Sequence, residues 1–167
     1  MIFVTVGTHE QQFNRLVEYM DKWASKHEEE VVIQTGYSTY EPKNAKWSKL
    51  YPYPQMIELV EKARIIITHG GPSSFIMPLQ VMKTPIVVPR QKKYDEHVND
   101  HQVRFCKEVE QRMGTIMVVE DVDELEGILS RYEAIISNRE SGIMSNNANF
   151  CEKIEMIVEN MFTVDKS

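Results

Sequence analysis

Short runs of consecutive apolar, β-branched residues alternate with helical periods along this chain, and that alternation restricts the fold more than any other feature. The runs lie at 2–6, 31–35, 65–68, 85–88 and 115–119. A strand with one wet face alternates apolar and polar residues. These runs do not, so they fit strands covered on both faces of a parallel sheet. Between them, apolar residues recur at helical spacing: Phe13, Leu16, Val17, Met20 and Ala24 make one stripe of a helix over about 13–26. Further helices are predicted over 54–63, 74–82, 98–110, 122–130 and about 147–161, with Pro54 suited to a first turn. The stretch 36–53 is the least regular and reads as a surface loop holding one short strand near 47–51. The pattern predicts an α/β, Rossmann-like doubly wound parallel sheet. It forms one domain over 1–162, followed by a frayed polar tail at 163–167.

A length of 167 residues suits one such domain. The net charge of −6 argues against a surface that grips nucleic acid, which needs a basic face. It leaves room for a small anion held by backbone amides and a few local cations. Cys106 and Cys151 are far apart, lack metal-ligand spacing and fall in helical patterns, so they read as reduced, buried thiols. The chain opens directly on a strand-like run, and no segment approaches the roughly 20 apolar residues of a membrane span. A cytoplasmic protein is expected.

Ligands of open α/β sheets sit outside the carboxyl ends of the strands, and three strand ends carry unusual chemistry. The first is Gly7-Thr8-His9, where glycine permits close backbone approach. The second is Thr68-His69-Gly70-Gly71-Pro72-Ser73-Ser74. Two glycines free the backbone, a serine is placed to cap the next helix, and free amides at a helix start suit a diphosphate. It is neither a Walker loop nor G-x-G-x-x-G. The third is Arg90-Gln91-Lys92-Lys93 leading into Glu96, His97, Asp100, His101 and Gln102. Cations such as Arg90 answer a diphosphate; carboxylates, amides and imidazoles answer sugar hydroxyls.

Taken in order, Val-Gly-Thr at 6–8, His-Gly-Gly-Pro-Ser-Ser at 69–74, Pro-Ile-Val-Val-Pro-Arg at 85–90 and Glu-His-Val-Asn-Asp-His-Gln at 96–102 resemble the glycosyltransferase family 28 C-terminal domain. Over roughly 1–160 the chain looks like bacterial capsule and exopolysaccharide transferase subunits. These are similar to the catalytic subunit of the eukaryotic enzyme that adds the second N-acetylglucosamine to dolichol diphosphate. The resemblance implies half of a GT-B fold binding a UDP-sugar substrate, with no separate cofactor. It also implies a membrane-anchored partner subunit that presents a lipid-linked acceptor and holds this chain at the inner face of the membrane. By position, Gly7 and Thr8 then lie near the diphosphate, with His69, Gly70, Gly71, Ser73 and Ser74 as the opposite wall. The segment holding Tyr53 and Met56 resembles the stretch that reads uracil, and Glu96, His97, Asp100, His101 and Gln102 face the sugar. Relatives carry an acid for the ribose in the helix after the glycine loop; here that stretch reads Phe75-Ile76-Met77-Pro78. Pro78 also predicts an early kink.

Transfer needs a general base for the acceptor hydroxyl. His9 is the candidate by position, with the missing half as the alternative source. Asp121-Val122-Asp123 matches a metal-holding D-x-D pattern but sits at a helix start, where capping explains it better. His97 and His101 are one turn apart yet have no third metal ligand. No metal site is expected. In the last helix Phe150, Ile154, Ile157, Val158 and Met161 form a stripe, with Met156 and Phe162 off it, which fits either a buried helix or a docking face. The competing reading of the whole chain is a non-catalytic nucleotide-sugar-binding regulatory subunit.

Overall fold

The computed structural model describes residues 1–140 and 153–159. They belong to two compact units, Met1–Tyr132 and Glu133–Ser167.

The first unit holds a six-stranded parallel sheet: β1 Ile2–Thr5, β2 Val31–Gln34, β3 Lys46–Ser48, β4 Ile65–His69, β5 Ile86–Val88 and β6 Met117–Val118. Their order across the sheet is β3-β2-β1-β4-β5-β6. β1, β2, β4 and β5 are buried at every position, as their unbroken apolar runs predict. Each large aliphatic side chain removed from water there contributes roughly 2 kcal/mol. β1 pairs with both β2 and β4, Ile2 facing Val31 on one side and Ile65 on the other. The chain therefore winds outward from β1 in one direction, then returns past it through β4 and winds in the other. That reversal opens a crevice between the carboxyl ends of β1 and β4. β3 starts one residue before the expected strand at 47–51 and is exposed at Lys46 and Trp47, as an edge strand is.

Helices cover the sheet. α1, Asn14–Ala24, buries Leu16, Val17, Met20 and Trp23; Trp23 takes the place expected for Ala24. The α1 stripe also buries Asp21, whose carboxylate accepts the backbone N–H groups of Lys43, Asn44 and Ala45 and the Tyr40 hydroxyl. Burial alone would raise its pKa. Those donors outweigh burial and hold the carboxyl below its ordinary range. This one side chain fastens the irregular 36–45 segment to α1. α2, Tyr53–Lys62, ends where the Lys83 ammonium donates to Val60 O and Ala63 O, both at 2.8 Å, and to Glu61 O. A cation there meets the negative end of the helix.

α3, Pro72–Gln80, stops two residues beyond Pro78, which cannot donate to the preceding turn. Neither Ser73 nor Ser74 caps it; both stand in its first turn, behind Gly71. α4, His101–Met113, starts three residues later than predicted, because 92–100 is taken up by a 3-10 turn at Lys92–Tyr94 and the bends after it. Asp121 caps the turn Val122–Glu124 by accepting Asp123 N–H at 3.0 Å. α5, Leu125–Ser130, follows it.

α6, Tyr132–Glu140, starts at the last residue of the first unit and was not expected from the sequence. The second unit contains the rest of α6 and a helical stretch at 153–159, inside the predicted last helix, in which Ile154 is buried and Met156 exposed. Cys151, Phe150, Met161, Phe162 and the tail at 163–167 lie outside the described residues. No helix among the described residues is long and apolar enough to cross a membrane.

Candidate functional site

A cleft of about 580 Å³ lies at the crevice between β1 and β4. Ten of the residues singled out in the sequence line it: Gly7, Thr8, His9, Tyr53, Met56, His69, Gly71, Ser73, Ser74 and Gln102. They come from the turn after β1, the first turn of α2, the end of β4, the turn into α3 with that helix's first residues, and the start of α4. The first two of the three strand ends meet here, and the third contributes through Gln102.

His69 is the centre of the arrangement. A β-carbon built on Gly7, which has φ +73°, would lie 2.2 Å from His69 Nε2. One on Gly71 would lie 2.2 Å from His69 Cε1. The two glycines thus make room for the imidazole, rather than for a ligand as the sequence suggests. His69 Nδ1 accepts the Gly71 N–H at 3.1 Å, and its Nε2 is 2.8 Å from Ser74 Oγ. Burial, aided by the nearby Arg90 guanidinium, lowers its pKa to about 3. The ring is neutral, so the proton stands on Nε2 and goes to Ser74 Oγ. The Ser74 hydroxyl hydrogen is then left to donate to a ligand in the cleft. Gly70 lies behind the site, its N–H given to Gln102 Oε1 at 3.1 Å and its Cα packed toward Cys106 Sγ. The same Gln102 oxygen accepts Arg90 N–H at 3.0 Å, which ties the loops after β4 and β5 to α4. Burial pushes the Cys106 thiol up to about 12, so it is inert, as a structural thiol should be.

Arg90, Glu96, Asp100 and His101 are placed elsewhere. The Arg90 side chain is fully buried, donating to Val6 O at 2.8 Å, Gln11 O at 2.9 Å, Gln12 O at 3.0 Å and Glu96 O at 3.2 Å. It holds the β1–α1 turn from behind, where it faces no ligand. Burial lowers its pKa to about 10, which still leaves it charged at neutral pH. Glu96 is equally buried, and Arg15 grips its two oxygens at 2.9 Å each. Its carboxylate also accepts Gln91 N–H at 3.0 Å. It is an anchor for the loop, with nothing left to read a sugar. Asp100, exposed, accepts Lys92 N–H at 2.9 Å, and His101 opens α4; neither is among the cleft-lining residues.

His9 lines the cleft; His97 does not, but its ring lies beside that of His9, centroids 5.0 Å apart. Burial first, then the Arg90 and His97 charges, hold its pKa below the ordinary histidine value. The remaining wall was given no binding role from the sequence: Thr5, Gln34, Leu50, Tyr51, Val60, Ile66 and Met77. Gln34 had a signal, a polar residue ending an otherwise apolar run. The apolar ones look like core positions in any sequence. The cleft thus has a polar end at the two glycine turns and an apolar end around Met56, Val60, Ile66 and Met77. Among the described residues it is lined by no Asp, Glu, Lys or Arg.

Such a cleft suits an anion attached to a flat or apolar group. The model resembles spinosyn forosaminyltransferase SpnP, with a TM-score of 0.61 at 17% identity, covering 99% of this chain and 43% of that one. It also resembles the glycotransferase of kitacinnamycin (TM-score 0.55, 16% identity, covering 93% and 39%) and CalG4, the calicheamicin glycosyltransferase (TM-score 0.55, 14% identity, covering 96% and 43%). At these identities the likeness is one of fold, that of one half of a GT-B glycosyltransferase. The chain spans less than half the length of each. No curated protein matches it by sequence. Residues 1–161 match the glycosyltransferase family 28 C-terminal domain, and the chain belongs to that family.

Proposed function

We propose that this chain is the nucleotide-sugar-binding, catalytic half of a two-part glycosyltransferase. It takes a UDP-sugar and works beside a membrane-anchored partner that presents a lipid-linked acceptor, in capsule or exopolysaccharide synthesis. The observation that carries the reading is the cleft at the β1–β4 crevice, polar at one end and apolar at the other. The diphosphate sits against His69, Ser73, Ser74 and the Gly7–Thr8 turn, and the base lies toward Tyr53 and Met56. In transfer, the acceptor hydroxyl attacks the anomeric carbon as the bond to UDP breaks. The charge that develops on UDP is met by preorganised N–H and O–H donors. The reading is of inverting transfer without a metal, in which these donors alone meet the charge on UDP.

Calorimetry of the purified chain against a panel of nucleotide-sugars tests donor binding, with UDP-sugars expected to bind weakly but measurably. Co-expression with the partner is expected to restore transfer. Robust transfer by the isolated monomer would contradict the two-part arrangement. The regulatory alternative is favoured by one feature, the lack of an acid in the 75–78 stretch, from which Met77 lines the cleft. It predicts unchanged turnover of the reconstituted pair when His9, His69 or His97 is replaced by alanine.

A further inference from the structure

Three histidines at this rim make the same local bond. Nδ1 of His9 accepts Gln11 N–H at 3.2 Å, Nδ1 of His69 accepts Gly71 N–H at 3.1 Å, and Nδ1 of His97 accepts Asn99 N–H at 3.4 Å. A ring nitrogen that accepts an N–H carries no proton, so each neutral ring bears its proton on Nε2. In His69 that proton is given to Ser74. In His9 and His97 the Nε2–H has no protein acceptor among the described residues; His9 lines the cleft, and the His97 ring, just outside that lining, lies against it with centroids 5.0 Å apart. The buried Arg90 guanidinium lies behind them, tied to Gln11 O and Gln12 O in the turn that follows His9. Glu10 is the nearest carboxylate that acts on His9.

We propose that His9 and His97 serve as neutral, pre-oriented hydrogen-bond donors to the oxygens of a nucleoside diphosphate, and that His9 is not the proton acceptor in transfer. For His9 to act as a base through Nε2 it would have to move its proton to Nδ1. That would replace the Gln11 N–H bond with a clash of two donors. As a donor it needs no rearrangement, and it lines the same cleft as the Ser74 hydroxyl. The inference rests on reading the cleft as a nucleotide-sugar site. It implies that the group accepting the acceptor's proton comes with the acceptor half.

The test pairs a tautomer measurement with binding. Nitrogen-15 histidine spectra of the full chain at neutral pH are expected to show the Nε2–H form for His9 and His97. In calorimetry with UDP, H9F and H97F are expected to weaken binding about tenfold or more, the usual loss of a hydrogen bond to a charged group. H9Q carries an N–H donor to a similar reach and is expected to recover most of what H9F loses. An Nδ1–H form at His9 would overturn the proposal. So would H9Q that keeps UDP affinity in the reconstituted enzyme yet loses transfer together with a limb of its kcat/KM pH profile. A wild-type chain that binds no nucleotide overturns the reading of the cleft and the proposal with it. Wild-type binding that H9F and H97F leave unchanged overturns the proposal alone.

Discussion

Gly7 and His69 are in contact across the β1–β4 crevice so closely that a β-carbon on the glycine would stand 2.2 Å from the imidazole Nε2. The turn after one strand and the side chain ending another are therefore a single fitted unit. Gly7→Ala must displace the ring and also hold alanine at φ +73°. It is expected to lower stability by roughly 1–3 kcal/mol in urea unfolding. Because part of that loss is the collision with His69, the double variant G7A/H69A is expected to lose less than the sum of the single ones.

His69 also sets a pH dependence. Its folded pKa, about 3, is below the ordinary value of 6.5. The unfolded chain thus takes up a proton between those values while the folded chain does not. Its contribution to stability is full above pH 6.5 and declines as the pH falls toward 3, by about 1.4 kcal/mol per pH unit. Urea unfolding between pH 7 and 4 is expected to show that slope, reduced in H69Q.

The Glu96 carboxylate is paired and buried, so removing it leaves the Arg15 guanidinium without its partner. Glu96→Ala is expected to cost about 3 kcal/mol of stability. The ratio of UDP-sugar to UDP affinity in the folded protein is expected to stay the same. A fall in that ratio would return Glu96 to the sugar.

Met77 offers no charged acceptor to a ribose hydroxyl. The wild-type chain is expected to bind UDP and 2′-deoxy-UDP within about tenfold of each other, because strong rejection needs a buried polar group left unpaired. Met77→Glu is expected to widen that ratio in favour of UDP. Competition calorimetry with the two nucleotides measures it.

The sheet was legible because burial on both faces writes itself into a strand as an unbroken apolar run, as in 2–6 and 65–68. The crevice was legible because unusual residues stood at consecutive strand ends. The assignment of individual partners was harder. Nothing in one dimension says that Arg90 points inward to Val6 O rather than outward to a phosphate, or that Glu96 meets Arg15 from 81 positions away. Gly7 and Gly71 carried a sound signal for close approach, but what approaches is the chain's own imidazole. The start of α4 slipped because Asp95, at φ +56°, and its neighbours turn back before the helix can begin. The apolar end of the cleft, Val60 and Ile66 included, was hidden among core positions of the same chemistry.

On the proposed reading, a protein of net charge −6 whose nucleotide cleft is lined, among the described residues, by no ionised lysine, arginine or carboxylate exerts no long-range pull on a polyanion. Recognition then begins only at touching distance, through short-range dipoles. Encounter proceeds at an ordinary diffusive pace, with little sensitivity to added salt, and selectivity comes from how slowly a well-fitted molecule leaves.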